Sequence, residues 1–213
     1  MTADEWRTCT DPAPLFELLR GWASERKLRL FSCACCRRIE HSASALDRAV
    51  VDATERCAEG LIRASTIYRA AGVPDEGPIL YGYATEAEHV VAEAAFGWAW
   101  LGAKQVRALV VDAVRKAEGP VGRAAECRRQ SDTIRCIFGN PFRRVAADPA
   151  WLTSDVLALA RSIYAERAFD RLPILADALQ DAGCENADIL DHCRGPGPHV
   201  RGCWVVDLLL GKA

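Results

Sequence analysis

The chain has 213 residues, half of them hydrophobic and 26% charged, a composition that buries a core without needing disulfide staples. Lys and Arg number 27 against 29 Asp and Glu, and a net charge of −2 argues against a generic polyanion binder. Ten Cys, one Met and 36 Ala depart from average usage. Met1 to Trp6 is acidic where a secretory signal would be basic and then apolar. The most apolar run, Cys203 to Leu210, contains Asp207 and is too short to span a bilayer. A cytoplasmic, reducing location with no membrane partner is therefore expected. There, cysteines serve as buried hydrophobes, metal ligands or reactive thiols more often than as disulfides.

Helical signals dominate in chain order, and strand-type alternation is almost absent. A first helix is predicted after Asp11-Pro12, with Leu15, Phe16, Leu19 and Trp22 at helical spacing. Ser24 caps the next, about Glu25 to His41. Ser44 and Asp47 resemble a capping box, opening a helix with Leu46, Ala49, Val50, Ala53, Cys57 and Leu61 on one stripe. Residues 71–84 hold three Gly and two Pro and read as a flexible loop. Thr85 to Glu88 is a capping box for a helix running toward Glu118, on which Trp98 and Trp100 cannot share one face. Gly119-Pro120 breaks the chain, and the helix after it ends with Gly139 as its terminating residue. Thr153 caps a helix with Val156, Leu159, Ala160, Ile163 and Tyr164 inward; Pro173 starts another that ends at Gly183. A short helix near 186–193, the Gly195-Pro196-Gly197-Pro198 turn and a last helix up to Gly211 follow. The fold class is all-α: a single domain, 1–213, of seven to nine helices, with a C-terminal helical subdomain at 145–213.

Three stretches carry a resemblance: Lys27 to Arg38, with Cys33, Cys35, Cys36, Arg37 and Arg38; Ile137 to Arg143; and Gly195 to Trp204. Together they resemble a family of Cys-rich helical bacterial proteins numerous in planctomycetes, over the N-terminal and C-terminal thirds of the chain. No activity is established for that family, so the resemblance implies no catalytic residues. The segment Leu175 to Gly183 is similar to a short helical repeat of regulatory proteins in the same bacteria, which favours an interaction module with a protein partner.

Two cysteine clusters carry the candidate chemistry. Cys184, His192, Cys193, His199 and Cys203 lie within twenty residues, and His199 and Cys203, four apart, share a helix face if one forms there. Zinc takes four nitrogen or sulfur ligands in a tetrahedron, which Cys184, His199, Cys203 and one of His192 or Cys193 would supply. A packed subdomain with buried thiols is the plainer alternative. In the second cluster, Cys33, Cys35 and Cys36 are reactive-thiol candidates, because Arg37 and Arg38 would favour thiolate. Packing in a core is again the plainer reading.

Other patterns are weaker. His192 to His199 nearly matches the loop of cysteine phosphatases, but His199 stands where the phosphate-gripping arginine belongs, and Pro196 and Pro198 remove N–H donors. Glu86, His89 and Glu93 share a helical side but lack a second Glu-x-x-His elsewhere. Arg123, Arg128, Arg129, Arg135, Arg143 and Arg144 form a basic stretch with Phe138 and Phe142 interleaved, yet 23 Arg against 4 Lys overall points to compositional bias and a solvated face. The leading reading is a cytosolic helical interaction or regulatory module stabilised by zinc. The alternatives are a thiol- or metal-dependent enzyme, and nucleic-acid binding through 123–144.

Overall fold

The computed structural model describes residues 1–39, 45–70, 94 and 99–212. Those residues are mostly helical and contain no strand. They form ten α-helices and two single turns, the all-α class that the sequence predicts. No helix among them is long and apolar enough to cross a membrane. The predicted loop at 71–84, the Thr85 capping box, Glu86, His89, Glu93 and Trp98 lie outside the described residues.

The described chain divides into two units, Thr10–Ser131 and a second made of Met1–Cys9 with Asp132–Ala213. The C-terminal group of helices thus includes the first helix of the chain and the end of a long one, beyond the predicted 145–213.

In the Thr10–Ser131 unit, α2 (Pro12–Leu18) starts at Asp11, whose carboxylate accepts from the Ala13 N–H. It ends before Trp22, which is therefore exposed and not on the buried stripe; its indole N–H donates to the Leu18 carbonyl. Ser24 caps α3 (Glu25–Arg38), as its sequence predicts. The helix α4 (Ala45–Ala58) stops at Gly60, which adopts φ 70°, so Leu61 falls past the helix and is exposed instead of buried. A short α5 (Ala64–Ala70) follows. The buried side chains include Leu15, Phe16, Leu19, Leu28 and Phe31. Phe16 stacks on Trp100 at 4.5 Å and meets Phe31 at 5.6 Å.

The long element α6 (Ala99–Phe138) is not straight. Gly119 has φ 72° and ψ −162°, a backbone state that essentially only glycine reaches, and Pro120 starts a new helix. The Gln130 amide donates to the Arg107 carbonyl at 3.2 Å, although a straight helix would separate these residues by roughly 34 Å. The two halves therefore fold back on each other as a helical hairpin. Arg38 of α3 pairs with Glu118 before the break and Glu126 after it, each at 3.2 Å.

In the other unit, α1 (Ala3–Thr8) opens with a capping box between Thr2 and Glu5, whose signal is present in the sequence. The helices α7 (Ser154–Glu166), α8 (Leu172–Asp181), α9 (Ala187–Arg194) and α10 (Trp204–Leu210) follow the turns predicted for them. Their core includes Val156, Ile163, Leu175, Leu179, Ile189 and Val206. Arg135, near the end of α6, donates to the carbonyls of Trp6 and Cys9 and so holds α1 in this unit.

Candidate metal centre

Four side chains of the Met1–Cys9 and Asp132–Ala213 unit converge. Cys136 comes from the last turn of α6, His192 from α9, and His199 and Cys203 from the turn that leads into α10. Their ligand atoms all lie within 4.8 Å of one another, and among the described residues they are the one Cys, His and carboxylate group that can hold a metal ion.

Local packing fixes each ligand. Gly139, at φ 67°, ends α6 three residues after Cys136, and the Trp204 ring sits against it, 3.2 Å from where a Cβ would be. The amide N–H of Cys203 donates to the Val200 carbonyl, and its own carbonyl accepts from Asp207 in the first turn of α10. Arg201 lies over the Tyr164 ring and donates to the Tyr164 carbonyl at 3.0 Å, tying the ligand-bearing turn to α7. Arg194 pairs with Asp177, joining α9 to α8.

The distances suit a tetrahedral ion. Bond lengths of about 2.3 Å to sulfur and 2.0 Å to nitrogen imply a sulfur–nitrogen edge of roughly 3.5 Å. His192 Nε2 lies 3.2 Å from Cys203 Sγ, and His199 Nδ1 lies 3.8 Å from Cys136 Sγ. His199 Nε2 is 3.1 Å from the Gly195 carbonyl oxygen, the outer partner that orients a ligating imidazole and leaves Nδ1 for the metal. The rings of His192 and His199 meet edge to face at 4.9 Å.

The electrostatics favour a thiolate at Cys203 alone. Burial opposes ionisation of Cys203, but hydrogen bonds from Cys136, His192 and His199 outweigh it and hold this thiol well below its ordinary range. Cys136, buried beside it, is pushed well up, by burial first and then by Cys203. Burial would lower His199, but its bonds to Cys203 and the Gly195 carbonyl raise it on balance. A divalent cation would deprotonate both thiols.

Of the five metal candidates in the sequence, the structure brings together His192, His199 and Cys203. Cys184 and Cys193 are outside the four-residue set and wholly buried in the core, where burial pushes the Cys193 thiol far up. Gly183, at φ 86°, turns the chain inward after α8, so Cys184 packs as a small hydrophobe. Cys136 reads in the sequence as a scattered core cysteine, because it lies 48 residues before Cys184 and spacing has no signal at that range. Its one sequence cue is its place beside Ile137 to Arg143.

The reactive-thiol expectation is corrected. Cys33, Cys35 and Cys36 are all buried. Burial pushes Cys35 well up and Cys36 to about 12, and the pull of Arg37 on Cys36 is outweighed. Arg37 is itself engaged by Asp52 and Glu55, and Arg38 by Glu118 and Glu126. In the basic stretch, Arg135 is spent on α1 and Asp132, and Arg143 on Asp188, while Arg123, Arg128, Arg129 and Arg144 are exposed.

No protein-family model, curated protein or solved structure matches this chain.

Proposed function

We propose that the chain is a helical interaction or regulatory module whose C-terminal helices are organised by a structural zinc ion. The observation that carries this reading is the convergence of two thiols and two imidazoles from three separate elements, all within 4.8 Å. Two sulfurs with two nitrogens is a zinc donor set, softer than magnesium or calcium sites use. Four protein ligands leave no open position for a substrate or an activated water, which supports a scaffolding ion over a catalytic one. In the N-terminal cluster all three thiols are buried, and burial raises Cys35 and Cys36, which favours binding over thiol catalysis.

X-ray absorption on zinc-loaded protein tests the donor set. Two sulfur and two nitrogen neighbours are expected. A shell of oxygens, or three protein donors with a bound water, would replace the structural reading with a catalytic one.

A further inference from the structure

The two sulfurs of the centre are each other's neighbours. They lie within 4.8 Å of each other, and both cysteines are buried. A disulfide needs about 2.0 Å between sulfurs, so the pair must close by less than about 3 Å. The two cysteines stand 67 positions apart, on the end of α6 and the start of α10, and a bond between them would join the same elements that the ion joins. The site is also sided: both cysteines are buried, whereas His192 and His199 are only partly so. Buried sulfurs are in easier reach of a small oxidant than of a bulky one such as oxidised glutathione.

Building on the zinc reading, we infer that Cys136 and Cys203 are a peroxide-sensitive pair, which forms a disulfide and expels the metal. The Cys203 thiolate attacks one oxygen of hydrogen peroxide, the O–O bond breaks, hydroxide leaves, and Cys203 becomes a sulfenic acid. The Cys136 sulfur then attacks the Cys203 sulfur, the S–S bond forms, and a second hydroxide leaves. Two thiolates have lost two electrons and one peroxide has gained them. Zinc, left with two imidazoles, dissociates. The disulfide takes over its role as cross-link, so the helices stay together while the metal is released.

The test uses full-length zinc-loaded protein treated with hydrogen peroxide beside a colorimetric zinc chelator, then digested without reductant. Zinc should appear in step with the loss of two thiols, and one peptide should link Cys136 to Cys203. Oxidised glutathione at equal concentration should leave the metal in place. Metal retained under peroxide, release with sulfinic acids only, or a link to Cys184 or Cys193 instead would overturn the inference. So would release by oxidised glutathione as fast as by peroxide. Protein isolated without zinc would refute the zinc reading separately, and peroxide treatment of that metal-free chain still decides the pairing: the Cys136–Cys203 link supports it and its absence overturns it.

Discussion

Gly139 shows how one residue positions the centre. Its φ of 67° ends α6 just beyond Cys136, and the missing Cβ leaves room for Trp204, the residue after Cys203. Gly139→Ala adds left-handed strain of about 1–2 kcal/mol and a contact at 3.2 Å, so it should destabilise by at least that much in urea unfolding and weaken metal retention. An unchanged midpoint would show that Trp204 does not depend on this approach. Gly197, at φ 77°, has a stricter version of the same constraint: a Cβ would meet the His199 backbone nitrogen at 2.7 Å. The thiols divide differently. Cys184→Ser places a hydroxyl in an apolar site at a cost of about 1–3 kcal/mol and should leave metal content intact.

At the level of elements, the hairpin in α6 depends on Gly119. A Cβ there would meet nothing within 4 Å, so Gly119→Ala should cost only the backbone strain, about 1–3 kcal/mol, without repacking. A crystal structure of that variant with the hairpin kept and the midpoint lowered is expected; an unchanged midpoint would contradict it. Arg135→Ala removes the donors that hold α1 and should lower stability by about 1–3 kcal/mol, with faster hydrogen exchange confined to residues 3–8. Much of this organisation was legible. Ser24, Thr153 and Gly119-Pro120 each mark a boundary by local chemistry, and the side chains act as read. Trp22 and Leu61 fall off their predicted stripes because helical spacing says nothing of where a helix stops; Gly60 ends α4 one residue before Leu61. The Thr2–Glu5 capping box is likewise legible, as Thr with Glu three residues on.

For the whole molecule, what the sequence could not supply is long-range convergence. His192, His199 and Cys203 sit close in the chain, whereas Cys136 reaches them only because α6 ends beside α10. The interior also predicts a pH response. Burial raises the Glu126 carboxyl above its ordinary value, against the pull of Gln130, Arg38 and Arg129. A raised folded pKa means that its contribution is full below about pH 4 and is lost as pH rises through the folded value. Glu126→Gln, which mimics the protonated form, should therefore gain stability relative to the parent between about pH 4 and pH 7. A difference that stays constant over that range, measured by urea unfolding of both proteins, would count against a buried, strained carboxylate.

Metal content decides whether the four converging side chains are a centre or only a hydrogen-bonded cluster. Protein purified without chelator or metal-affinity resin should carry about one zinc per chain by elemental analysis. The same protein with Cys136→Ser or Cys203→Ser should lose it together with thermal stability, and Cys184→Ser should keep it. Less than about a tenth of an equivalent in the parent, or a full equivalent retained by Cys136→Ser, would contradict a zinc held by Cys136, His192, His199 and Cys203.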